Sequence, residues 1–85
     1  MNSETQKNLS AVAIGHTARV CRVHGSGALR RRLLDMGITR GTEITLLKVA
    51  PLGDPLEVSL RGFTLSLRRA EAAMVETKTE TETHP

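Results

Sequence analysis

The feature that most constrains the fold is a change of phase in an apolar alternation. Leu56, Val58 and Leu60 recur on even positions, whereas Phe63, Leu65 and Leu67 recur on odd ones, and the switch falls at Arg61-Gly62. A strand turns alternate side chains to opposite faces, so one uninterrupted strand would carry these two sets on opposite sides. A two-residue hairpin loop removes the conflict. It sets Leu60 opposite Phe63, Val58 opposite Leu65 and Leu56 opposite Leu67, with all six on one face. The chain is thereby committed to antiparallel pairing around at least one buried sheet face.

Upstream, Thr17 to His24 reads as a strand whose alternation is imperfect, because Val20 and Val23 fall on opposite faces. A bulge or burial on both sides accounts for that. Gly27 to Met36 reads as a helix, with Ser26 placed to cap it. Leu29, Leu33 and Met36 lie on one stripe, and Arg31 and Asp35, four apart, are able to pair. Gly37 then falls where a left-handed residue ends a helix, and Ile38 can fold back on Leu33. Thr39-Arg40-Gly41-Thr42 is a turn and Glu43 to Val49 a strand. The two prolines of Pro51-Leu52-Gly53-Asp54-Pro55 require a loop. Arg68 to Ala73 reads as a helical turn and Met74 to Thr77 as a last strand. The order is strand, helix, four strands, for which a small curled barrel is the economical arrangement.

The ends differ from this middle. Residues 1–8 and 78–85 are mostly polar, and the latter have no apolar residue to bury, so both are expected to be unfolded tails around a domain of residues 9–77. A domain that small buries only about 60% of its unfolded surface, leaving little room for a cleft that desolvates a substrate. No apolar run approaches the ~20 residues needed to span a bilayer, and the first residues lack the apolar stretch of a signal peptide. One cysteine, Cys21, rules out an internal disulfide. The expected setting is the cytoplasm, without membrane insertion.

Charge raises a second possibility. The net charge is +3, and Arg30-Arg31-Arg32 and Arg68-Arg69 are clustered. Such clusters suit nucleic acid or an acidic surface. Phe63 is the sole aromatic, however, and single-strand binding needs stacking platforms, so nucleic acid is disfavoured. No nucleophile stands beside a base, and Gly25-Ser26-Gly27 lacks the length and lysine of a phosphate-binding loop. His16, His24, Cys21, His84 and the tail glutamates follow no ligand spacing; Cys21 and His24 fall on opposite strand faces, so the thiol is expected to be buried and no metal or other cofactor is expected. Leu34 lies well off the Leu29–Leu33–Met36 stripe, beside Arg30. It either packs under the 51–55 loop or joins Leu52 in an exposed apolar patch. The candidate partner-binding residues are Arg30, Arg31, Leu34, Leu52, Arg68 and Arg69.

Four ordered segments carry a family resemblance: Arg32-Leu33-Leu34-Asp35-Met36-Gly37-Ile38, then Arg40-Gly41-Thr42-Glu43-Ile44, then Ala50-Pro51-Leu52-Gly53-Asp54-Pro55, then Leu67-Arg68-Arg69-Ala70-Glu71-Ala72. Over about Leu9 to Thr77 the chain resembles FeoA, the small cytosolic component of bacterial ferrous iron transport. The resemblance implies an SH3-like β-barrel with one short helix between its first two strands. It also implies non-enzymatic service to the membrane transporter FeoB, whose cytosolic part carries a GTP-binding domain, so that any GTP would be hydrolysed by the partner. A similar domain ends some iron-dependent repressors; no helix-turn-helix precedes it in these residues, and the transport component is the expected reading. The alternative is a basic SH3-like regulatory module that binds nucleic acid or a repressor-type partner.

Overall fold

A computed structural model describes residues 7–79. The hairpin expected from the phase switch is present in the expected register. β4 (Leu56–Leu60) pairs antiparallel with β5 (Phe63–Leu67), with Leu60 opposite Phe63, Val58 opposite Leu65 and Leu56 opposite Leu67. Arg61 and Gly62 both adopt positive φ, 49° and 87°, as a tight primed turn requires. The shared face is buried at its base and opens at its tip. Leu56, Val58, Leu60 and Leu67 are in the core, Leu65 is half-buried, and Phe63 remains 47% exposed.

The remaining strands are β1 (Lys7–Asn8), β2 (Thr17–Val23), β3 (Glu43–Val49) and β6 (Val75–Thr79), and all six form one antiparallel sheet in the order β1-β6-β2-β3-β4-β5. The sheet curls like a small barrel, but β1 and β5 are its edges and it does not close. Two bulges contribute curvature. Against β6 the register of β2 shifts between Val20 and Arg22, so Cys21 is the extra residue, and β3 shifts likewise at Leu47. The bulge explains how Val20 and Val23 are both buried, and the added residue increases local twist.

Two expectations about the ends need correction. Lys7 and Asn8 pair with Thr77 and Glu76, and β6 extends to Thr79, so strand pairing reaches beyond 9–77 on both sides. The adjoining Leu9, in a 3₁₀ turn over Leu9–Ala11, is fully buried. Residues 1–6 and 80–85, the rest of the expected tails, lie outside the described residues.

α1 (Gly27–Asp35) ends as its sequence implies. Gly37 adopts φ 96°, its N–H donates to the Leu34 carbonyl (3.0 Å), and the Ile38 N–H donates to that of Leu33 (3.1 Å). This Schellman pairing brings Ile38 back over Leu33, and both are fully buried. At the other end Ser26 occupies the N-cap position, but its side chain makes no capping bond. The apolar stripe is narrower than expected. Leu33 alone is buried, whereas Leu29 and Met36 are half-buried. Leu34, expected to point elsewhere, is half-buried too and packs against the core. Arg31 and Asp35 do not pair; it is Arg32 that forms an ion pair from this helix, with Glu71 at 2.6 Å.

The helical turn expected over Arg68 to Ala73 is present as a four-residue helix, α2 (Arg69–Ala72), with Arg68 and Ala73 at its caps. Glu71 closes its first turn by accepting the Arg68 N–H at 2.9 Å. The core gathers β2, β3, β4, β6, α1 and the 3₁₀ turn around Leu33, Ile44, Leu56 and Val75. Each such aliphatic side chain contributes about 1.5–3 kcal/mol on burial.

Candidate functional site

The six candidate residues do not form one surface. They divide between two regions, because the arginines next to each other in sequence meet different partners.

Around α2, arginine is a construction element. The Arg69 Nε donates to the Gly53 carbonyl (2.8 Å) and its Nη1 to the Ser10 carbonyl (3.4 Å), while its backbone N–H donates to Asp54 Oδ1 (2.9 Å). One residue thereby ties the 51–55 loop and the 3₁₀ turn to α2. Glu71, only 7% exposed, accepts from both Arg32 and Arg68. A buried carboxylate needs such partners, since leaving it unpaired costs far more than a neutral hydrogen bond returns. The Arg68 side chain is exposed, and Leu52 projects from the loop tip at 95% exposure.

Around α1 and β2 the surface is concave. Arg30, Arg31 and Leu34 line one end of it together with Gly25, Ser26 and Gly27. Arg30 is held by donating from Nε to the Val23 carbonyl at 3.0 Å, whereas Arg31 is exposed. From Leu34 the hollow continues along β2 past Val20, Cys21 and Arg22, and on to Arg40 and Lys78, enclosing about 660 Å³. Leu34 therefore borders a groove on β2, while Leu52 stands on a loop anchored to α2. The hollow that Leu34 lines includes no residue of the 51–55 loop, with which Leu34 was expected either to pack or to share a patch.

Arg22, Arg40 and Lys78 were missed in the sequence because each stands alone there; only strand pairing and the 39–42 turn bring them to one groove. Other arginines are absorbed locally. Arg61 donates to Thr42 Oγ1 at 3.0 Å and Arg19 pairs with Glu43 at 3.0 Å.

No metal site was expected at Cys21 or the histidines. His24 Nε2 lies 2.7 Å from Glu76 Oε1, whereas the nearest polar partner of Cys21 Sγ is the Arg19 carbonyl at 4.0 Å. Cys21 is half-buried, not buried as expected, because it is the bulged residue. Among the described residues no three His, Cys, Asp or Glu side chains gather as a metal-binding group, and no helix is long and apolar enough to cross a membrane. His84 lies outside the described residues.

With the fold and surface in view, comparison with known proteins is decisive on kinship. Residues 7–78 match the FeoA domain family. The chain belongs to the FeoA family. It is 41% identical over 68 residues to a fusion of Fe(2+) transport protein A with Fe(2+) transporter FeoB from Porphyromonas gingivalis, covering 80% of this chain and 8% of that one. The chain thus spans a small fraction of the length of this curated relative. A FeoA-like protein from Clostridium acetobutylicum, solved by NMR, superposes with a TM-score of 0.85 at 39% identity, covering 94% of this chain and 93% of that one. The zinc-complexed FeoA of Stenotrophomonas maltophilia, described as a prokaryotic SH3 domain protein, superposes with a TM-score of 0.73 at 31% identity, over 82% and 87% of the two chains. The fold is accordingly SH3-like, with its sheet left open, and the FeoA family to which the chain belongs is an accessory one associated with ferrous iron transport.

Proposed function

We propose that this FeoA chain is a cytoplasmic, non-enzymatic accessory of ferrous iron uptake that binds the cytosolic, GTP-binding region of a FeoB transporter and promotes or gates its transport. The observation that carries this reading is the fusion in Porphyromonas gingivalis, where a FeoA-like segment and FeoB share one polypeptide. A flexible linker holds two modules at an effective concentration of about millimolar. Where a FeoA domain is not joined to its transporter, it must achieve by binding what the fusion achieves by covalent connection. Binding alone does not change transport. The accessory must prefer one conformational or nucleotide state of the transporter, and the shift it produces is limited by that difference in affinity.

The use of Arg30, Arg32 and Arg69 within the fold weighs against a phosphate-backbone partner. Their guanidinium groups already meet carbonyl or carboxylate oxygens. The test is a titration of the folded chain against the cytosolic region of FeoB, with GTP analogue, with GDP and without nucleotide, at two salt concentrations. The expected result is saturable binding whose affinity differs between nucleotide states. Absence of binding in every state overturns the reading. Affinity for duplex or single-stranded DNA that falls steeply with salt supports the regulatory alternative instead.

A further inference from the structure

The groove between α1 and β2 has a charge imbalance that the fold does not use. Among the described residues, five of its lining side chains are cationic, Arg19, Arg22, Arg30, Arg40 and Lys78, against a single carboxylate, Glu76. That carboxylate is already engaged by His24 at 2.7 Å. Arg30 and Arg19 have partners within the fold. The exposed Arg22, Arg40 and Lys78 side chains, in contrast, have no hydrogen-bond or ion-pair partner among the described residues. Arg31, exposed at the end of the hollow, is in the same position. Cations of one sign along a concave, low-dielectric wall focus their field into it and attract the opposite charge.

The groove is not purely polar. Leu34 and the bulged Cys21 are half-buried and line it, over the buried Val20 and Val23. It holds no aromatic side chain, since the chain's one aromatic, Phe63, lies on edge strand β5. A nucleic-acid strand would meet cations but no stacking platform. A protein segment with carboxylates and an aliphatic side chain satisfies both parts of the lining.

We propose that this groove docks an acidic peptide segment of a partner protein, whose carboxylates meet Arg22, Arg40 and Lys78 while an aliphatic side chain seats on Leu34. The inference deepens the transporter reading and rests on it only for which protein supplies the segment. Rim cations of this kind act mainly through association rate and salt sensitivity, and the apolar seat through residence time.

The experiment uses fluorescence anisotropy on the full chain with a labelled peptide of alternating Glu and Leu, its Gln–Leu counterpart, and a labelled oligo-dT of matched charge. Arg22→Glu and Arg40→Glu are compared with Lys48→Glu, which changes net charge equally but lies outside the groove; circular dichroism verifies that each variant is folded. Each groove variant is expected to weaken Glu–Leu binding about ten-fold, and Lys48→Glu by less than about two-fold. Equal weakening by all three variants, equal binding of the Gln–Leu peptide, or tighter binding of oligo-dT with the same sensitivity overturns the proposal. The variants are also titrated against the FeoB cytosolic region. If that region and the Glu–Leu peptide both bind all of them like the parent chain, the transporter reading stands and the groove proposal falls. If it binds none while the Glu–Leu peptide shows the expected pattern, the groove stands and the transporter reading falls.

Discussion

The corner around α2 and the groove between α1 and β2 are both rich in arginine, and they use it in opposite ways. At the corner, Arg69 and Arg32 are held at the surface by oxygens that the 51–55 loop and Glu71 present to them. In the groove, Arg22 and Arg40 face a concavity whose only carboxylate among the described residues is taken by His24. The role of an arginine here is decided by whether the fold supplies an acceptor within reach. Clustering in sequence does not decide it: Arg30, Arg31 and Arg32 are consecutive and all exposed, yet one holds a strand carbonyl, one has no partner among the described residues and one pairs with a buried carboxylate.

This contrast is open to measurement by urea unfolding, from the largest expected effect downward. α1 borders both regions, and its Leu33 is fully buried between them. Leu33→Ala is expected to cost about 2–5 kcal/mol, as core truncations do. Leu34→Glu, at the half-buried groove wall, should cost less than Leu33→Ala and reduce partner binding. If Leu34→Glu is the more destabilising, α1 is anchored through the groove side and the division fails. Next, Glu71→Ala should cost about 1–3 kcal/mol, because it leaves the Arg68 N–H without its acceptor and releases Arg32. A change below a few tenths would mean that the corner is not organised by that carboxylate.

Arg69→Ala should cost about 1 kcal/mol, the usual net value of such hydrogen bonds, and should loosen the 51–55 loop, seen as faster amide exchange at Gly53. Smallest of all, Arg22→Ala and Arg40→Ala should shift stability by no more than about 0.5 kcal/mol, as for surface changes without partners. If either groove substitution destabilises as much as Arg69→Ala, the free and the structural arginines are not distinct classes.

The fold and the candidate surface were not equally legible before the structure was known. The β4–β5 register could be read because a two-residue turn leaves one pairing that buries a common face, and because Gly62 accepts the positive φ. The α1 terminus could be read because Gly37 and Ile38 act on residues one turn away. The family could be read from four short segments in a fixed order. By contrast, β1 has two residues, too few for any periodicity, and pairs across the length of the domain, with Lys7 opposite Thr77.

The sequence by itself determined the local elements, since turns, caps and strand phase depend on residues a few positions apart. Tertiary structure alone decided that the sheet stays open, that the candidate residues divide between two regions, and that isolated Arg22, Arg40 and Lys78 share a groove. The physical reason is distance along the chain. Arg32 meets Glu71 across 39 positions, and Arg22 lies beside β6 because β2 pairs with it. No local pattern records which acceptor a long, flexible guanidinium will reach once the strands have paired.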